Sequence, residues 1–205
     1  MERMIWKTVA RFAASTLGLL TLAAAQDITS AERNKADRYL AETRNALVEA
    51  TKGLSEAQWK FKPAPDRWSV AEVAEHLALL EEYFGNGIRP QIMKSPAAEL
   101  PGGAKQVDTV VLNKVVDRST KFQAPDPIQP TGRWTPTETL DHFLAARQQT
   151  VAFLKSTTDL RGHVFSHPVF GPMDGYEWVL AVAGHTERHT KQILEVKADP
   201  NFPKN

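Results

Sequence analysis

Four short stretches constrain this chain more than any other feature: Thr29-Ser30-Ala31-Glu32, Ser69-Val70-Ala71-Glu72, Thr135-Pro136-Thr137-Glu138 and Asp174-Gly175-Tyr176-Glu177. Each sets a capping residue three positions before a Glu, so that two side chains satisfy orphan backbone N–H groups where a helix begins. Asp174 gives a looser version of the box. Pro136 stands at the first helical position, where its missing N–H does no harm. Apolar residues follow each start at helical spacing: Tyr39, Leu40, Leu47 and Leu54; Val73, Leu77, Leu80 and Phe84; Leu140, Phe143, Leu144, Val151 and Leu154; Val182, Ile193 and Val196. Four amphipathic helices of roughly 20 residues each predict an all-α four-helix bundle.

The connections are uneven. GLSEAQWKFKPAPDRW joins the first helix to the second and is rich in Pro and aromatic residues. From about Ser95 to Trp134 lies a long helix 2–3 connection holding PGG, APDPIQPTG and a more apolar DTVVLNKVVDR, which is expected to form a short extra helix. So long a connection allows the second and third helices to run parallel. RGHVFSHPVFGPMDG, before the fourth helix, reads as a Gly/Pro loop able to pair briefly as a ribbon.

The N-terminus is of a different kind. Arg3, Lys7 and Arg11 precede an apolar run from Phe12 to Ala25 that closes on Ala23-Ala24-Ala25, the small-residue pattern a signal peptidase accepts. A run of about 14 residues is short of the roughly 20 that span a bilayer as a helix. Residues 1–25 are therefore expected to be a signal peptide, with residues 26–200 forming the bundle domain of an exported, periplasmic or extracellular protein. Cleavage removes three of the 25 basic and one of the 24 acidic residues, leaving a nearly neutral mature chain. Such a balance offers no electrostatic footprint for nucleic acid. A small-molecule substrate is the expected partner, with no membrane contact after cleavage and a monomer or homodimer as the assembly. The chain contains no cysteine, which excludes a disulfide framework and a cysteine nucleophile.

Among six histidines, three carry a pattern. His185 and His189 are one helical turn apart in GHTERHTKQI, and two imidazoles at i and i+4 share a helix face. Trp178, Ala181 and Val182 precede them on that face, so both point inward. His76, in SVAEVAEHLALLEEYF, neighbours Val73, Leu77 and Leu80 on the buried face of the second helix. Three inward histidines are costly to bury without partners. A shared cation relieves that cost, and a polar core network is the alternative. His142 shares a face with Glu138 and Gln149 and reads as a surface residue. His163 and His167 lie in the Gly/Pro loop, where hydrogen bonds to backbone are their expected role. HExxH is absent, and Glu187 lies roughly opposite the histidines around the helix at about 100° per residue, so a zincin-type protease has no support.

The runs KPAPDRWSVAEVAEHLALLEEYF, KFQAPDPIQPTGRWTPTETLDHFLAAR and HPVFGPMDGYEWVLAVAGHTERHTKQI together resemble the DinB/YfiT-like metalloenzyme family over about residues 30–197. The specific elements are WS-x6-H on the second helix and H-x3-H-x2-Q on the fourth. The resemblance implies an up-down-down-up bundle and a divalent ion, zinc or nickel, on His76, His185 and His189. It also implies an activity of hydrolase or transferase type. Relatives include thiol-dependent S-transferases and isomerases that use cytosolic thiols such as bacillithiol or mycothiol, a setting from which a signal peptide departs.

Three neutral imidazoles leave a zinc-like ion with an open fourth position, as in catalytic sites. Glu72, one turn before His76, is the candidate to orient that ligand or take a proton, beside its role in the capping box. Gln192 could reach the same cavity; Tyr83 and Arg147 are weaker candidates. Trp68 and Trp178 are expected to pack the bundle ends. The alternative to an enzyme is a non-catalytic exported metal-binding or stress-related bundle.

Overall fold

The computed structural model describes residues 27–204 apart from 97, 99 and 101–103. The expected signal peptide, residues 1–25, lies outside the described residues. Helix α1 spans Ser30–Thr51, α2 Glu56–Lys60, α3 Val70–Tyr83, α4 Arg89–Lys94, α5 Ala104–Val116, α6 Pro136–Ser156 and α7 Gly175–Lys197, with a hairpin of β1 (Val164–His167) and β2 (Gly171–Asp174) just before α7. The four predicted helices are α1, α3, α6 and α7. In all four capping boxes both reciprocal hydrogen bonds are present. A fifth box, Ser55 with Gln58, starts α2 inside the first connector, where the Pro-rich flank masked it.

Two buried clusters give the helix directions. One gathers Leu47 and Ala50 from late α1, Val70 to Ala78 from early α3, Phe143 from early α6, and Ile193 and Val196 from late α7. The other holds Ala36 and Leu40 from early α1, Phe84 beyond α3, Phe153 and Leu154 from late α6, and Tyr176 to Ala183 from early α7. The helices α1 and α7 thus run one way and α3 and α6 the other, giving the up-down-down-up order. Around the bundle α1 touches α7, α7 touches α3, α3 touches α6 and α6 touches α1.

The long connection does more than return the chain. The expected extra helix is α5, which packs against α7 and places Val111 and Val115 in the core. Gly184 permits that approach, since a Cβ there would meet Val115 Cγ1 at 3.1 Å and the Tyr39 hydroxyl at 3.3 Å. The predicted second helix also runs on, through a π-turn at Phe84–Ile88 into α4. Two glycines and the missing N–H of Pro90 weaken the α-helical ladder at that point.

Two buried arginines are tied to carboxylates. Arg147, 1% exposed, donates through Nε to Glu81 Oε1 at 2.7 Å, and through its other nitrogens to Leu40 O, Thr43 and Thr186. It joins four helices and does not reach the histidines, so its candidacy as a site residue gives way to a structural role. Arg161 binds Asp108, Asp174 and Glu32, locking α5 and the start of α7 to α1.

Candidate metal centre

His76 sits two turns inside α3, and the Ser69 cap fixes the register that turns it into the core, 2% exposed. His185 and His189 face it from α7. The ring centroids of His76 lie 5.1 Å from His185 and 4.6 Å from His189, and those of His185 and His189 are 4.5 Å apart. One nitrogen from each ring lies within 4.8 Å of the others. Nitrogens around a tetrahedral zinc with bonds of about 2.0–2.1 Å stand about 3.3–3.4 Å apart. His76 Nε2 and His185 Nε2, at 2.9 Å, stand close to that separation.

Outer partners fix which nitrogens face the centre. His76 Nδ1 lies 2.7 Å from Ile128 O, and a carbonyl only accepts, so the proton is on Nδ1 and Nε2 offers its lone pair. Oε1 of Gln192 lies 2.8 Å from His189 Nδ1 and also accepts from Arg118 Nη1 at 3.3 Å, which makes Nδ1 of His189 the donor. Metal-ligating histidines are oriented in this way. Burial pushes the His76 imidazole down to about 4, against the hydrogen bond to Ile128, which favours its charged form. Burial, then the neighbouring imidazoles, hold His185 and His189 well below the ordinary histidine range. At neutral pH all three are uncharged, the form that ligates a metal.

The roof of the site was not foreseen. Residues 117–134 of the long connection cross over α3 and α7, held by three backbone N–H groups, from Thr131, Gly132 and Arg133, that donate to the buried Glu75 carboxylate. Gly132, at φ 71°, supplies the left-handed backbone this turn needs. A one-turn 3₁₀ helix at Asp126–Ile128, stiffened by Pro125 and Pro127, then presents Ile128 O to His76. Proline density in that stretch was the available signal; the identity of the carbonyl was not readable.

The remaining candidates fall out as follows. Glu72 is engaged with its cap, accepting from Ser69 N at 2.7 Å and pairing with Lys62 at 2.9 Å. Partial burial works to raise its carboxyl, but Ser69 and Lys62 outweigh this and hold it lowered. Among the described residues, no hydrogen bond joins Glu72 to His76. Glu75 and Glu81 are buried carboxylates that sequence reasoning overlooked on α3, and both are already satisfied. Trp68 does not only close a bundle end, because its ring lies 5.0 Å from that of His76. Trp178 donates to Phe165 O and, with Tyr83, lines a cavity that reaches His185. His142 stacks on Trp134 at 3.9 Å near the surface. His163 meets Ser95 O and Asp159, and His167 Nδ1 accepts from Val169 N and Phe170 N, the backbone roles expected of them.

Two cavities flank the histidines. One, of about 300 Å³, is bounded by Trp68, His76, His189, Gln192 and the cations Arg118 and Arg188. The other, of about 420 Å³, is mostly apolar and is bounded by Phe165, Val169, Trp178 and His185. Among the described residues no fourth His, Asp or Glu joins the group of three.

A family model described as the DinB superfamily matches residues 39–193, most of the chain. The chain belongs to the DinB superfamily. Relatives of this DinB protein include the uncharacterized protein YuaE of Bacillus subtilis strain 168, which is 27% identical over 148 residues, 71% of this chain and 87% of that one. YfiT from Bacillus subtilis, whose solved structure is described as that of a probable metal-dependent hydrolase with an unusual four-helix bundle topology, is similar in fold. The TM-score is 0.59 at 17% identity, covering 87% of this chain and 93% of YfiT.

Proposed function

We propose that this DinB-superfamily protein is a metal-dependent enzyme of hydrolase or transferase type, with His76, His185 and His189 holding one divalent ion, zinc or nickel. The observation that carries the reading is the donor set: three neutral imidazole nitrogens within 4.8 Å of one another, beside cavities on both sides. Membership of the family and the description of YfiT as a probable metal-dependent hydrolase support it. When bound, such an ion supplies Lewis acidity toward a carbonyl oxygen or thiolate. The chain's own residues do the rest. Ile128 O and Gln192 hold two imidazoles in the ligating tautomer, Trp68 shields their faces from water, and the roof closes the site above. With protein ligands in three positions, the fourth is left for substrate or solvent. The protein is further proposed to act after export, as a monomer or homodimer, on a small molecule.

A panel of ester, amide and thiol-transfer substrates, run on metal-loaded protein and on His189→Ala, tests the reading. Activity is expected in the first and absent from the second and from chelated protein. Equal turnover in all three would contradict it.

A further inference from the structure

We infer that the substrate of this site is a small apolar acid: an aliphatic or aromatic body that fills the cavity beside His185, with a carboxylate paired to Arg188. The inference rests on the site proposed above for its location, but not on the metal for its binding.

The first observation is the chemistry of the larger cavity. Its volume, about 420 Å³, lies in the range of small-molecule sites, roughly 300–1,000 Å³. Among the described residues no Asp or Glu lines it, while Lys114 stands at the rim and Arg188 inside. Five large apolar side chains are exposed among the described residues, and three of them, Tyr83, Phe122 and Val169, ring this one cavity. Exposed apolar surface gathered at one mouth marks an interaction site, whereas scattered single residues mean little.

The second observation is Arg188 itself. It lies on α7 between the two ligating histidines, is 9% exposed, and borders both cavities. One of its five N–H groups donates to Thr120 O at 2.6 Å, and its guanidinium lies 5.9 Å from the Phe122 ring. Among the described residues no carboxylate forms an ion pair with it. The acidic groups whose charge bears on it, Glu195 and Asp117, are engaged elsewhere, Glu195 by Nε and Nη2 of Arg118 and Asp117 by Ser119. The other buried arginines among the described residues have their carboxylates, Glu81 for Arg147 and Asp108 with Asp174 for Arg161. A buried cation without a counter-charge is costly, and an anionic ligand supplies the missing charge. Arginine suits this role because its planar fork meets a carboxylate with two parallel hydrogen bonds.

Calorimetric titration of metal-free, chelated full-length protein with octanoate and with octanol tests the inference. Octanoate is expected to bind at least tenfold tighter than octanol. Arg188→Leu should remove that preference while leaving octanol affinity within about twofold, and Arg188→Lys should keep part of it. Ser166→Trp, an exposed hairpin position on the cavity wall, should weaken both ligands. Equal affinity for the two ligands in the unmodified protein would overturn the anionic claim without need of any variant. Failure of both to bind would overturn the cavity claim. Neither outcome touches the metal reading, which is decided by metal content.

Discussion

Replacing Arg147 with Met should unfold the bundle far more readily than any surface change, and the structure says by how much. Glu81, 0% exposed, receives two hydrogen-bonded partners, the Arg147 guanidinium and the Thr150 hydroxyl. Methionine fills much of the volume but leaves a carboxylate in the core with the hydroxyl alone. Removing one member of a buried ion pair costs about 3–5 kcal/mol, because the other charge stays behind. Leu40 O and Thr43 keep helical partners without the arginine, since Thr43 Oγ1 already donates to Tyr39 O and Leu40 O, so little is added from them. For a domain of this size each kcal/mol shifts Tm by roughly 2–4 °C, which sums to a fall of about 6–20 °C. Arg147→Met with Glu81→Leu removes both charges and should recover most of the stability, as apolar replacements of whole pairs do. Circular dichroism melts and urea titrations measure all of this. A single variant that loses less than about 1 kcal/mol, or a double variant no better than the single, refutes the reasoning.

Three further outcomes are expected. Gln192→Ala frees the His189 ring and should weaken metal binding by about 10–100-fold with the fold intact, as read by competition with a chromogenic chelator. Burial, reinforced by Asp174, pushes the Glu177 carboxyl from 4.5 up to about 9, so the folded chain holds a proton that the unfolded chain releases. The stability from that proton is complete below about pH 4.5 and lost as pH climbs through about 9; Tm should fall over that window, and Glu177→Gln should flatten the fall. Mass spectrometry of material from the native host should find a mature chain beginning near Gln26; an intact Met1 would exclude cleavage.

What the sequence made legible is tied to short-range rules. Capping boxes are local, so all four long helices could be placed by their starts, and helical periodicity then turned His76, His185 and His189 inward. The length of the second connection allowed the parallel pair α3 and α6. Legibility stopped where a partner comes from far along the chain. Arg147 faces inward by periodicity, but nothing local says that Glu81 meets it there in place of a cavity. Glu72 stands one turn before His76, yet Ser69 and Lys62 claim its carboxylate. Ile128 reaches His76 from 52 residues away, and its contribution is a backbone carbonyl, which every residue has. Arg188 sits inside the most recognisable motif of the chain, and only the folded structure shows that no carboxylate among the described residues forms an ion pair with it.

Metal content is the most direct test of the three-histidine centre. Protein loaded with excess zinc or nickel and then desalted should carry about one ion per chain by plasma mass spectrometry. His76→Ala, His185→Ala and His189→Ala should each retain almost none, while Glu72→Ala, whose carboxylate meets the Ser69 cap and Lys62, should retain a full complement. Unmodified protein that holds no ion, or histidine variants that hold as much as it does, would contradict the centre outright.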